Sequence, residues 1–220
     1  MGRVLKLLLL FVAALVALAV VAVLIFALLF DPNDYRDRIA QAVEAQTGRE
    51  FAIEGQLGLS VFPWLAVEVG RTKLGNAEGF GPEPFATFES AELSVKLLPM
   101  LLRREIEVGK ARLDGLDLHL AVGADGRNNW QDLSEAQETA APGEDDGGPA
   151  SLDIGSIEVV NAGLSYADAQ AGTTYRVRNL NAATGNIRAG DPVDFDAGFE
   201  FAMEPDGTSG SVAAAGTLDL

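Results

Sequence analysis

The chain holds one histidine and no cysteine in 220 residues. His119 lies in Leu116-Asp117-Leu118-His119-Leu120, alternating with leucines, which puts it on the polar face of a strand. Nucleophilic catalysis needs an activated nucleophile and a base oriented by a third group. No serine motif beside His119 supplies one. Without cysteine, disulfides and thiolate metal sites are excluded, although that absence does not decide the compartment. Glu144-Asp145-Asp146 lacks the alternating acids and distal Glu of a calcium loop and reads as a solvated linker. Gly207-Thr208-Ser209-Gly210 lacks the Gly-Lys-Thr/Ser core and following helix of a phosphate loop. Acid pairs are plentiful, as an acidic surface predicts without acid–base chemistry. The sequence points away from an enzyme and offers no cofactor or metal motif.

The charge distribution narrows the partners. Lys and Arg total 16 against 32 Asp and Glu. Only Arg3 and Lys6 precede Asp31, so the remainder carries 14 cations against 32 acids, a net −18. Such a domain repels phosphate backbones and anionic lipid surfaces, which argues against nucleic acid as a partner.

Residues 7–30 are 24 consecutive Ala, Val, Ile, Leu and Phe. A bilayer core of ~30 Å takes about 20 helical residues, and a lone helix satisfies its own backbone there. A single transmembrane helix is therefore expected. Arg3 and Lys6 before it, with Asp31 and Asp34 after it, put the N-terminus in the cytoplasm and the bulk outside. Arg36 and Arg38, also near the membrane, blur this asymmetry. A signal peptide cut after Ala17-Leu18-Ala19 is the competing reading; it would leave an apolar terminus from Val20 to Phe30. Both readings place the domain outside the cytoplasm.

After residue 30 the expected fold is mainly β, with one short amphipathic helix and then a curled antiparallel sheet. Asp31-Pro32-Asn33-Asp34 reads as a helix start. Tyr35, Ile39, Ala42, Val43 and Gln46 form its expected apolar stripe, and Gly48 its C-cap. Phe51, Ile53, Leu57, Leu59 and Val61 share odd positions, the period-two mark of a half-apolar strand. Leu65, Val67 and Val69 alternate likewise. Further strands are expected at 85–97, 106–113, 116–122, 152–160, 164–167, 173–187, 193–203 and 211–220. Asp114-Gly115 reads as a hairpin turn. The expected organisation is a cytoplasmic tip and membrane helix (1–30), a helix-plus-sheet unit (31–133), a disordered acidic linker (134–150) and further strands (151–220) that continue in a longer chain. Leu98, Met100, Leu101 and Leu102 around Pro99, followed by Arg103 and Arg104, form either a membrane-interface turn or an ordinary core-packing turn.

One pattern recurs. Val67-Glu68-Val69-Gly70 is matched by Ile106-Glu107-Val108-Gly109, 39 residues on, and by Leu152-Asp153-Ile154-Gly155, 46 residues after that. Gly within a strand pattern often marks a bulge that bends the strand. Repeated, it would curl a sheet.

Several motifs in order resemble the AsmA family of bacterial envelope proteins. They are Phe30-Asp31-Pro32-Asn33-Asp34-Tyr35 after an apolar run, Thr47-Gly48-Arg49, Ile53-Glu54-Gly55 and Phe62-Pro63-Trp64. Leu74-Gly75-Asn76-Ala77 with Gly79-Phe80, Val95-Lys96-Leu97-Leu98-Pro99, Leu113-Asp114-Gly115 and Asp125-Gly126-Arg127 with Asn129-Trp130 follow. The resemblance is close to about Leu133 and loose beyond. It implies an inner-membrane anchor, a periplasmic β domain and a role in outer-membrane biogenesis. It also implies a long curled sheet with an apolar groove that binds or conducts phospholipid. Phe51, Ile53, Leu57, Leu59, Leu93, Val95, Leu118 and Leu120 are the candidate lining. An assembly factor contacting outer-membrane or other periplasmic proteins through an open strand edge is the alternative.

Overall fold

The computed structural model describes residues 31–61, 64–96, 99, 107–134, 153–188 and 190–219. The apolar run 7–30 and the turn from Leu98 to Arg104, Pro99 apart, lie outside them. No helix among the described residues is long and apolar enough to cross a membrane.

Asp31 caps a 3₁₀ turn, Pro32–Tyr35, by accepting the Asn33 N–H at 2.9 Å. Helix α1 (Arg36–Thr47) follows and ends at Gly48, whose φ of 69° suits a residue without Cβ. Of the expected stripe only Val43 is half-buried. Tyr35 and Ile39 are exposed, while Arg36, Ala40, Val43 and Thr47 are half-buried. The helix is rotated by polar contacts at the sheet edge, described below, which outweigh two apolar side chains.

Twelve strands follow: β1 (Phe51–Ile53), β2 (Leu57–Ser60), β3 (Trp64–Val69), β4 (Thr72–Leu74), β5 (Ala86–Phe88), β6 (Ser90–Lys96), β7 (Glu107–Asp114), β8 (Asp117–Val122), β9 (Asp153–Asp168), β10 (Thr173–Thr184), β11 (Pro192–Glu204) and β12 (Thr208–Asp219). They form one curled half-barrel sheet. The pairings reduce it to eight long paths, because β1–β2, β3–β4, β5–β6 and β7–β8 are each one path bent at a corner. β1 pairs β4 while β2 pairs β3; β4 pairs β5 while β3 pairs β6; β5 pairs β8 while β6 pairs β7. Both β7 and β8 pair with β9, then β10, β11 and β12 add in turn.

Two expectations change here. Asp114-Gly115 is a corner within one path and not a hairpin, since β7 and β8 pair with β9 and not with each other. The sheet is also not wholly antiparallel: the β7–β8 path runs parallel to β9. A parallel neighbour requires a long crossover, and residues 123–152 provide it. The two strands expected at 152–160 and 164–167 are replaced by one strand of 16 residues, Asp153–Asp168.

The corners line up across the sheet. The N–H groups of Glu54 and Gly55 both donate to the Arg71 carbonyl at 2.8 Å, a bulge geometry. The line continues through Glu89, Gly115, Asn161 (φ 51°) and Asn179 (φ 53°), asparagine being a side chain that tolerates the left-handed region. A second line passes through Gly109 and Gly155, where β7 shifts register against β6. A Cβ on Gly155 would lie 2.1 Å from the Gly109 carbonyl oxygen, so only glycine fits. The motif copies at Gly109 and Gly155 are thus direct neighbours, and the 46-residue offset is the parallel register itself: Val108 faces Ile154 and Leu113 faces Val159. Gly70 lies in the first line and is not their equivalent.

Candidate functional site

In-register partners share a face, so the pairings trace rows across the sheet. One row runs Leu57, Val69, Ala91, Leu113, Val159, Ala182, Ala197, Ala214. Another runs Phe51, Leu74, Ala86, Leu118, Leu164, Val177, Phe201, Gly210. β11 keeps an unshifted register along its length with β12. Ala197 and Phe201 are four apart on it and point the same way, so both rows lie on one face. Strict alternation would have split them. The corners repair the phase by stepping the apolar positions three residues, from Val69 to Thr72 and from Val159 to Ala162.

All eight candidate lining residues lie on this face. Their accessibility differs. Ile53 and Leu57, on the outer path beside α1, are buried. Leu93 is 50% exposed. Its row, Leu59, Val67, Leu93, Ala111, Ile157, also exposes Val67 (45%) and Ile157 (36%). At the other end Leu120, Tyr166, Tyr175 and Met203 form a row, with the rings of Trp130 and Tyr166 at 6.2 Å and those of Tyr166 and Tyr175 at 6.1 Å. Val67, Ile157, Tyr166, Tyr175 and Phe201 were not among the expected lining. The three-residue steps at Gly and Asn were the signal for them.

The opposite face is polar. Lys96 pairs with Glu107 at 3.0 Å, and Glu158 accepts from Lys110 at 3.0 Å and Arg112 at 2.7 Å. Those two cations hold the Glu158 carboxyl below its ordinary value. His119 is on this face as expected, its Nδ1 3.0 Å from the Pro84 carbonyl and its Nε2 3.6 Å from Asp117. An apolar face whose middle rows are half exposed, backed by a charged face, can hold an apolar ligand without any reacting group.

The motifs behind the family resemblance converge on a different place, the end of the sheet where the crossover leaves. Arg49 is buried (4%) and Asn129 fully so (0%). Arg49 donates to both carboxylate oxygens of Asp132 and, at 2.6 Å, to the Asn129 carbonyl, and stacks 4.7 Å from the Phe85 ring centre. Asn129 completes a sheet-like pair with Ala121 (3.0 and 2.9 Å) and donates to Asn76 and to the His119 carbonyl. Arg49 holds the Asp132 carboxyl below its ordinary value by hydrogen bonding. Thr47-Gly48-Arg49, Leu74-Gly75-Asn76 and Asn129-Trp130, far apart in sequence, are therefore parts of one polar clamp.

Comparison with known proteins agrees with this arrangement. The AsmA family model matches residues 1–204. The chain is 29% identical over 139 residues to the protein AsmA of Escherichia coli (strain K12), an alignment covering 63% of this chain and 22% of that protein. No solved structure matches. With the family model spanning nearly its whole length and the clamp built from the motifs that first suggested the resemblance, the chain belongs to the AsmA family.

Proposed function

We propose that this chain is an inner-membrane-anchored periplasmic protein of outer-membrane biogenesis whose apolar sheet face holds the acyl chains of phospholipid. The observation that carries this is the uncovered row through Val67, Leu93 and Ile157. A soluble domain seldom leaves contiguous apolar surface open without a partner for it. Acyl chains are such a partner, since they gain about 25 cal/mol for each Å² removed from water and need no polar contact. The anchor is the run 7–30, and the N-terminus is cytoplasmic.

A photo-crosslinking residue at Leu93, and separately at Glu92, in the full chain in cells tests this. Leu93 suits the purpose better than Leu57, which is buried. Phospholipid attached at Leu93 but not at Glu92 is the expected result. No lipid at Leu93 in folded protein, or equal capture at both sites, overturns it. A second reading rests on β12, all twelve residues of which are exposed: an assembly factor that offers this edge to outer-membrane or other periplasmic protein strands. It predicts protein adducts at Ala213 and no lipid at Leu93.

A further inference from the structure

The polar face holds an open pocket of about 800 Å³ over β5, β8, β9 and β10, beside the first line of corners. It lies on the far side of the sheet from the apolar rows and is independent of the lipid reading. Its walls differ in charge. On one side stand Asp117 with Glu83 and Glu89, the last already paired with Arg71 at 2.7 Å; on the other stand Arg176 and Arg178, two residues apart on β10. Between them β9 supplies a floor of Gly163 and Ser165: Asp117 is in register with Gly163, and His119, Ser165 and Arg176 are in register on three adjacent strands. The walls are thus two strand spacings apart, roughly 10 Å. Gly163 keeps the floor low, because a Cβ there would come within 3.1 Å of Asp117 Oδ1.

The donors and acceptors are sorted in the same way. A carbonyl only accepts, so the 3.0 Å contact to Pro84 puts a hydrogen on His119 Nδ1, and Nε2 lies 3.6 Å from the Asp117 carboxylate. That side offers acceptors for an ammonium group. On the other side Arg176 is shared with Glu204, Arg178 makes no ion pair among the described residues, and Ser165 adds a hydroxyl. That side offers donors for a compact anion.

We propose that this pocket binds a small soluble zwitterion, with its ammonium group toward Asp117 and its phosphate toward Arg176, Arg178 and Ser165. A lipid headgroup has the same chemistry, but on this face its chains would stand in water, away from the apolar rows.

The test is calorimetric titration of the full chain in detergent micelles with O-phosphoethanolamine, and in parallel with inorganic phosphate and with ethanolamine. Saturable binding of the zwitterion is expected, each half alone binding at least about tenfold more weakly. Arg178→Ala and Gly163→Val should each weaken it about tenfold. Asp117→Asn, nearly isosteric and at an exposed position, should weaken phosphoethanolamine by a similar factor and leave inorganic phosphate unchanged, a split that misfolding would not produce. Four outcomes overturn the proposal: no binding by the unaltered chain, phosphate binding as tightly as the zwitterion, indifference to Asp117→Asn, or displacement of the probe by phosphatidylethanolamine added to the micelles, which would make the ligand a lipid.

Discussion

The two edges of the sheet are finished in opposite ways. At the β1–β2 edge the strands are three and four residues long and broken by a bulge. Several of the groups that would pair with another strand are already used. Asn33 accepts the Leu57 N–H at 2.9 Å and donates to the Leu57 carbonyl at 3.2 Å, as a neighbouring strand would. Arg36 holds that asparagine at 2.6 Å, and Glu44 accepts the Phe51 N–H at 3.2 Å. At the other edge β12 runs for 12 residues, pairs among the described residues with β11 alone, and carries no Lys, Arg or Pro. Short edges, bulges and covering elements are how proteins prevent edge pairing; one edge has all three and the other has none. The first edge is therefore blocked, and β12 carries none of these devices.

If the blocked edge is a built device, damage there should cost most where the clamp ties it down. Arg49 immediately precedes β1 and is buried against Asp132, Asn129 and Phe85. Arg49→Ala should lower stability by about 2 kcal/mol, because it strands the buried Asn129 carbonyl and removes the partner of the half-exposed Asp132 carboxylate, measured as a shift in the denaturation midpoint of the full chain in micelles. A loss under about 1 kcal/mol would make the clamp ornamental. Asn33→Ala is next. It removes two hydrogen bonds to the edge and should cost no more than about 2 kcal/mol; it should also make the amide of Leu57 exchange with solvent faster than that of Val193. Unchanged exchange at Leu57 would mean that α1 does not guard this edge.

How far the sequence carried this picture depends on the element. The mainly-β class, the helix ending at Gly48, and the shared side of Phe51 with Ile53 and of Leu93 with Val95 follow from local periodicity and capping; that these and Leu118 fall on one face needed the corners. The rotation of α1 did not, because it is decided by Asn33 reaching Leu57, a contact across 24 residues. The Asp114-Gly115 corner was misread because a dipeptide that suits a hairpin also suits a bend, and only the pairing with β9 separates the two. The 46-residue repeat was visible, but that its copies lie side by side in parallel was not, since register belongs to the pair and not to either strand. The clamp was legible only as scattered motifs: nothing local says that Arg49 meets Asp132, 83 residues away.

The clamp also predicts a response to acid. Hydrogen bonds from Arg49 depress the folded Asp132 value below the ordinary one of 3.8. The stability this contributes is complete above the ordinary value and is lost as pH falls through the depressed folded value. Melting temperature should therefore fall more steeply below about pH 4 in the unaltered chain than in Asp132→Asn, measured by circular dichroism. Parallel curves for the two would remove Asp132 from the account.

The smallest expected effect on stability sharpens the comparison most. Ala213 lies mid-strand in β12, opposite Gly198, and is exposed. Ala213→Lys should change the folding free energy by less than about 0.5 kcal/mol, because its side chain meets only water and the β11 pairing survives. A lysine on an edge strand nevertheless discourages a further strand from adding. If the edge is used for extension, Ala213→Lys should suppress backbone cross-links formed from β12 while leaving lipid capture at Leu93 intact. A matching lysine at Gly58 on the blocked edge should change neither readout, since Asn33 has already closed that side. Equal loss of β12 cross-links from both substitutions would mean that they act through general charge, and the two edges would no longer differ in function.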